Sequence, residues 1–312
     1  MPTLAMPLPK ASAAKVSTAN VAWLAAFATH LAARPAHTRS AYLRDTGVLA
    51  MLAGDADLTR LAAPQLRRFL ATMHGRGLSG RSVARMLSSW RAFYRFVIER
   101  DPAVKESPCT GLRAPKSPKR LPSALSPDEA VQLVAIPESD PLAVRDRAVF
   151  ELAYSSGLRL AELAGLDLDR IDVANGEVRV WGKGAKERIV PVGAAARDAI
   201  RAWLDVRATI PHADPKALFV GRKGARINPR AIQRRLAVWA VKRGLPQHVH
   251  PHMLRHSFAS HVLQSSGDLR AVQEMLGHAS IASTQVYTHL DFQALAKVYD
   301  KAHPRAKKRP AK

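Results

Sequence analysis

The sequence predicts a mainly α-helical protein of two domains, with one small β-hairpin in the second. Three observations carry that prediction. Apolar residues recur at helical spacing through the first hundred residues, a proline-rich basic stretch then interrupts them, and one short segment beyond it alternates apolar and polar residues around glycines. At 312 residues the chain is also longer than one hydrophobic core usually supports.

Residues 1–16 read as a flexible leader. Ala11-Ser12-Ala13-Ala14 has the look of a cleavage site, but the charged start and apolar run of a secretory signal do not precede it. A helical domain is expected over 17–101. Its first helix should pack through Val21, Leu24, Ala25, Ala28 and Leu31, and further helices are expected over 38–52, 64–75 and 80–100. The last of these carries Val83, Met86, Leu87, Trp90, Phe93, Tyr94 and Val97 on one side, with Arg81, Arg85, Arg91 and Arg95 elsewhere, the pattern of a core helix with a basic outer face. Five prolines lie between Pro102 and Pro122, among Lys105, Arg113, Lys116, Lys119 and Arg120, which predicts a basic, extended linker over 102–122.

The second domain is expected over 123–300. In Ser126-Pro127-Asp128-Glu129 the serine can cap a helix, the proline suits its first position and the glutamate can complete a capping box. A second helix should run from about Pro141 to Ser156 and stop at Gly157. Val178, Val180, Ile189 and Val192 flank Gly182-Lys183-Gly184-Ala185-Lys186 as the arms of a hairpin. From 193 onward the pattern is helical, with one candidate strand at Ala217 to Val220, and 301–312 reads as a basic tail.

A formal charge of +23 and a pI near 11 point to a polyanionic partner, with nucleic acid first. The charge is spread along the chain: 19 Lys and Arg against 6 Asp and Glu in residues 1–122, and 29 against 19 in the remainder. Both halves should therefore meet phosphates. Val21 to Ala33, the longest apolar stretch, is too short to span a bilayer. The single cysteine, Cys109, excludes an intramolecular disulfide framework and any multi-cysteine zinc site, and fits a reducing cytoplasm. Aromatic residues make up only 6%, too few for a binder that stacks single-stranded bases, so duplex DNA is the expected ligand.

Metal-free phosphoryl transfer needs cationic donors on the non-bridging oxygens, a nucleophile and an acid for the leaving oxygen. His252 and Arg255 stand three apart in His-Met-Leu-Arg-His, on one face of a helix, where both can grip one phosphate. Arg159 follows the break at Gly157 and opens a helical run, so its guanidinium can join helix N-terminal amides around an anion. Taken alone, Arg159 reads first as an ordinary surface ion-pair partner. Two rivals fail on spacing. His252 and His256 are four apart like a zinc pair, yet Met253 stands where a metalloprotease places its glutamate; and a Walker loop around Lys183 would need Gly at 177 and Ser or Thr at 184, where the chain has Glu177 and Gly184.

Taken in order, Ser156-Gly157-Leu158-Arg159-Leu160, Gly182-Lys183-Gly184, His252-Met253-Leu254-Arg255-His256, Leu276-Gly277-His278 and Tyr287-Thr288-His289 resemble the tyrosine recombinase (phage integrase) family. The resemblance extends over nearly the whole chain, and Leu290-Asp291-Phe292-Gln293 with Ala302-His303-Pro304-Arg305-Ala306 is similar to the Xer branch in particular. It implies a helical, SAM-like core-binding domain followed by a mixed α/β catalytic domain. It also implies that Arg159 and Arg255 neutralise the scissile phosphate, that His252 and His278 hydrogen-bond it or assist proton transfer, that Lys183 protonates the leaving 5′-oxygen, and that Tyr287 attacks. Holding the bond energy in a phosphotyrosine would let the strand be rejoined without ATP, so neither cofactor nor metal is expected. The partners implied are a double-stranded recombination site, a XerD-like recombinase with two copies of each protein in a heterotetramer, and a division-associated, FtsK-like DNA translocase. The reaction would resolve chromosome and plasmid dimers in the cytoplasm.

Three rivals stay open at this point: a phage or mobile-element integrase, a type IB topoisomerase, and a non-catalytic architectural protein. An integrase of that kind would carry an arm-site domain ahead of the core-binding helices, which is not expected here. Phe292, Leu295 and Val298 form an apolar stripe after the last catalytic position. It packs either on its own domain or, as the resemblance implies, into a neighbouring protomer. His250, His256, His289 and His303 receive no catalytic role.

Overall fold

The computed structural model describes residues 17–116, 124–181, 187–245, 249–277 and 289–306, with side chains in the last segment from 295 onward. The chain divides into two units, Met1–Arg120 and Leu121–Lys312.

In the first unit four α-helices surround one apolar core: α1 (Thr18–His30), α2 (Ala36–Ala53), α3 (Ala63–Gly75) and α4 (Gly80–Ile98), with a 3-10 turn at Leu58–Arg60. The central element is α4. All seven apolar residues expected to line it are buried, and its four arginines at 81, 85, 91 and 95 are exposed. Ser79 caps it by accepting the Ser82 backbone N–H. The face of α1 differs from the sequence expectation. Val21 is 53% exposed, and Asn20 and Phe27 join the expected Leu24 and Leu31 on the packed face. Asn20 wins the buried position because its amide is satisfied at both ends, donating to the Ala56 carbonyl at 2.9 Å and accepting the Leu58 N–H at 3.0 Å. Residues 101–116 contain no helix, yet Cys109 and Leu112 pack into the core of this unit, and Arg91 donates to the Leu112 carbonyl at 2.6 Å.

The second unit begins with α5 (Pro127–Val134), whose capping box forms as read: Ser126 Oγ accepts the Glu129 N–H, and the Glu129 carboxylate accepts the Ser126 N–H at 2.8 Å. Next comes α6 (Pro141–Ser156), the most buried helix of the unit, ended by Gly157 at φ +58°. A Cβ there would collide with the Phe258 ring, so glycine is required by both backbone and space. A short helix, α7 (Leu160–Gly165), leads through a 3-10 turn into an antiparallel sheet of β1 (Ile171–Asp172), β2 (Glu177–Trp181) and β3 (Glu187–Pro191), in that order. The hairpin was legible and β1 was not, because two residues carry no period. The candidate strand at Ala217 to Val220 is instead a buried extended segment with isolated bridges to Asp167 and Arg226.

The remaining helices are α8 (Ala194–Ala208), α9 (Pro229–Lys242), α10 (Pro251–Ser266), α11 (Leu269–Leu276) and α12 (His289–Ala302). In this chain α12 lies on its own unit, against α10, with Leu295, Tyr299 and Ala302 buried in the core. The segment after it is held too: Ala306 accepts the Ala194 N–H at 3.0 Å, and Arg305 pairs with the fully buried Glu151. Among the described residues no helix is long and apolar enough to cross a membrane.

Candidate active site

The two arginines singled out from the sequence meet at the C-terminal end of α11. Arg159 sits at the N-cap of α7, placed there by the glycine stop of α6. Its side chain is 35% exposed and donates through Nη2 to the Gly277 carbonyl at 3.3 Å. Arg255 lies on α10, is 8% exposed, and donates to the carbonyls of Gly157 and Leu276, each at 2.6 Å. Both guanidinium groups are thus fixed by backbone oxygens rather than left to find a rotamer. Fixed cationic donors of this kind can meet an anion without reorganising.

Beside Arg159 stands a carboxylate. Glu162, one turn into α7, accepts the Arg159 backbone N–H at 2.8 Å and its Nη1 at 2.9 Å, and receives both terminal nitrogens of Arg188 at 2.9 and 2.8 Å. Burial alone would raise the Glu162 pKa; the hydrogen bonds and charge of Arg188, with those of Arg159, outweigh it and hold the group below the usual carboxylate range. Burial, with the Arg159 and Arg188 charges beside it, brings Arg255 down to about 10, so it remains a cation at neutral pH. Three arginines around one carboxylate leave the site with a net positive charge of two, which suits an anion.

His252 shares α10 with Arg255 one turn earlier, but it is exposed where Arg255 is buried, and its ring lies 6.2 Å from that of His250. Lys183, His278 and Tyr287 lie outside the described residues. Their neighbours are described: Trp181 and Glu187 end the hairpin strands that flank Lys183, Gly277 precedes His278, and α12 opens just after Tyr287. Elsewhere in the unit Arg230, Gln233 and Arg234 of α9 line an exposed hollow with Asn228, a second basic surface.

Comparison with known proteins decides what the site belongs to. Residues 123–294 match the phage integrase family, and residues 24–101 match the phage integrase N-terminal SAM-like domain. The chain is 55% identical over 294 residues to tyrosine recombinase XerC 1 of Ralstonia nicotianae, covering 88% of this chain and 89% of that one. It is 54% identical over 293 residues to tyrosine recombinase XerC of Pseudomonas aeruginosa, covering 92% and 96%.

The chain belongs to the phage integrase family.

As a tyrosine recombinase it shares its fold with solved structures of low identity. A λ integrase dimer bound to a COC′ core site superposes with a TM-score of 0.69 at 19% identity, covering 94% of this chain and 80% of that one. XerH bound to a difH substrate superposes with a TM-score of 0.65 at 24% identity, covering 88% and 82%. The mainly helical fold with a SAM-like first domain, expected from the resemblance, is what these matches show. In this recombinase, sequence reasoning missed Glu162 and Arg188. The signal for Glu162 was its place three residues after Arg159, at the third helical position, where a carboxylate returns to cap the backbone. For Arg188 it was register: on β3 the inward positions are Arg188 and Val190, and an arginine facing a core demands a buried acid.

Proposed function

We propose that this recombinase cuts one DNA strand at a specific duplex site by attack of Tyr287 on the scissile phosphate, forming a 3′-phosphotyrosine, and rejoins it to a new partner by reversal of that step. Arg159 and Arg255 neutralise the non-bridging oxygens, His252 and His278 hydrogen-bond the phosphate or assist proton transfer, and Lys183 protonates the leaving 5′-oxygen. A tyrosine hydroxyl with an ordinary pKa near ~10 is a poor nucleophile at neutral pH, so the field of the arginines is what makes the attack feasible. One phosphoester replaces another, so the cycle is close to isoenergetic and calls for neither ATP nor a metal. The observation that carries the reading is the convergence of Arg159 and Arg255 on successive carbonyls of α11, immediately before His278.

The identity to XerC proteins supports a finer role: cytoplasmic resolution of chromosome and plasmid dimers before cell division, in a heterotetramer with a XerD-like recombinase and under a division-associated, FtsK-like DNA translocase. The test is a nicked duplex that loses its 5′-hydroxyl fragment on cleavage, incubated with and without a XerD-like protein. A denaturant-resistant adduct on the 3′ side of the break, with tighter binding beside the second recombinase, is expected. An adduct on the 5′ side overturns the chemistry, and independence from the second protein overturns the partnership.

A further inference from the structure

The last two residues of α11 and its cap present three backbone carbonyls in succession, and each is taken by a different arginine: Met275 by Arg188 at 3.1 Å, Leu276 by Arg255 at 2.6 Å, and Gly277 by Arg159 at 3.3 Å. Two of these arginines belong to the catalytic set. The third differs in kind. The Arg188 side chain is only 5% exposed, and all three of its nitrogens are engaged inside the protein, Nε on Met275 and both terminal nitrogens on Glu162. It cannot reach a phosphate. Gly277 closes directly over it: a Cβ there would lie 3.1 to 3.3 Å from the Arg188 guanidinium, so the backbone leading into His278 is shaped around this side chain.

We infer that Arg188 is a positioning residue, which by sharing Glu162 with Arg159 holds the Arg159 guanidinium at the reacting phosphate and ties β3, the start of α7 and the end of α11 into one support. The inference rests on the recombinase reading above. The logic lies in hydrogen-bond supply. Each oxygen of Glu162 receives one bond from Arg159 and one from Arg188. Without Arg188 the buried carboxylate keeps two empty acceptor sites, and the nearest remaining donors are those of Arg159. The Arg159 guanidinium then turns onto Glu162 as a two-pronged pair, and its outward N–H groups are withdrawn from the phosphate. β3 also begins at the hairpin that carries Lys183, so Arg188 anchors the strand behind the proposed general acid.

The experiment measures single-turnover adduct formation on the nicked duplex, site affinity by gel shift, and thermal melting, for wild type, Arg188→Gln, Arg188→Lys, Glu162→Gln and the Glu162→Gln/Arg188→Gln pair. Cleavage by Arg188→Gln at a temperature where it is folded should fall on the order of 10²-fold, the scale of a small misplacement of a catalytic group, while affinity stays within about threefold. Arg188→Lys, which keeps the charge but not the fork, should lie between. The double variant should cleave no more slowly than Glu162→Gln alone, because Arg188 acts through that carboxylate. Cleavage by folded Arg188→Gln close to wild type, an equal loss of affinity, or independent losses that multiply in the double variant would each overturn the inference. Should Arg188→Gln not fold, Arg188→Lys decides: impaired cleavage with affinity kept supports it, and unimpaired cleavage overturns it. A wild-type protein that forms no adduct removes the recombinase reading itself, whereas a wild-type adduct with an indifferent Arg188 removes only this inference.

Discussion

In the proposed reaction Arg159 and Arg255 serve the same phosphate from different degrees of burial, and their substitutions should separate accordingly. Arg159→Ala removes a partly exposed side chain, so the protein should melt near wild type while cleavage falls by about 10²–10³-fold, the scale of losing one oxyanion donor. Arg255→Ala should lose cleavage to at least that extent and also cost about 2–4 kcal/mol of stability, because it strips the buried carbonyls of Gly157 and Leu276 of their donors. Calorimetry beside single-turnover cleavage would distinguish them. For Lys183 the expected signature is chemical: Lys183→Ala should cleave a normal 5′-oxygen substrate slowly and a 5′-thio substrate nearly as well as wild type, since a thiolate leaves without a proton. Neither arginine variant should show that rescue. The arginines themselves were legible because they stand in ordered motifs; the pairing of Glu162 with Arg188 was not, because it joins residues 26 apart in the chain, which local spacing does not display.

At the scale of elements, the buried face of α4 and the bounds of α6 were readable, and the face of α1 was readable only in part. On α4 the stripe and the core coincide, whereas on α1 Asn20 takes the place expected of Val21, because its amide finds two backbone partners. The apolar stripe of α12 suggested a dock in a neighbouring protomer, and in this chain its described part is spent at home. Tyr299 Oη shares a hydrogen bond of 2.7 Å with Ser155, and His303 stacks on Tyr299 with ring centroids 5.0 Å apart. Any exchange between protomers must first release these contacts. Truncation after Asp291 should therefore lower the Tm by well over the few degrees that about 1 kcal/mol produces, since it also leaves Glu151 buried without Arg305. An unchanged Tm with lost cooperativity beside a second recombinase would instead mean that the helix belongs to its neighbour. The same cluster predicts acid sensitivity. Burial, ahead of every other influence, holds His303 down to about 3, against ~6.5 in an unfolded chain, so the unfolded state binds the proton first. This contribution is constant above that unfolded value and is lost as pH falls from there toward 3, at up to about 1.4 kcal/mol per unit. His261, also lowered by burial, adds in the same direction. His303→Gln should be less stable at neutral pH but show a shallower acid slope in denaturant titrations at stepped pH.

The whole molecule carries its +23 charge in both halves, from the exposed arginines of α4 to Arg230 and Arg234 of α9. Binding to any duplex should therefore weaken by roughly 10³-fold or more between 50 and 200 mM salt, with sequence preference surviving that loss. This was the most legible property of the chain, because counting charges needs no fold; the identity of the DNA site was the least, because base contacts depend on side-chain placement. In the proposed reaction one residue, Tyr287, joins covalently to DNA while the rest of the protein binds and positions it. Tyr287→Phe keeps the ring and removes only the nucleophilic oxygen, so binding and chemistry can be read on the same sample. Gel shift on the intact duplex and a denaturing gel on the nicked duplex should show site affinity equal to wild type and no adduct at any time. A denaturant-resistant protein–DNA complex formed by Tyr287→Phe would contradict the account.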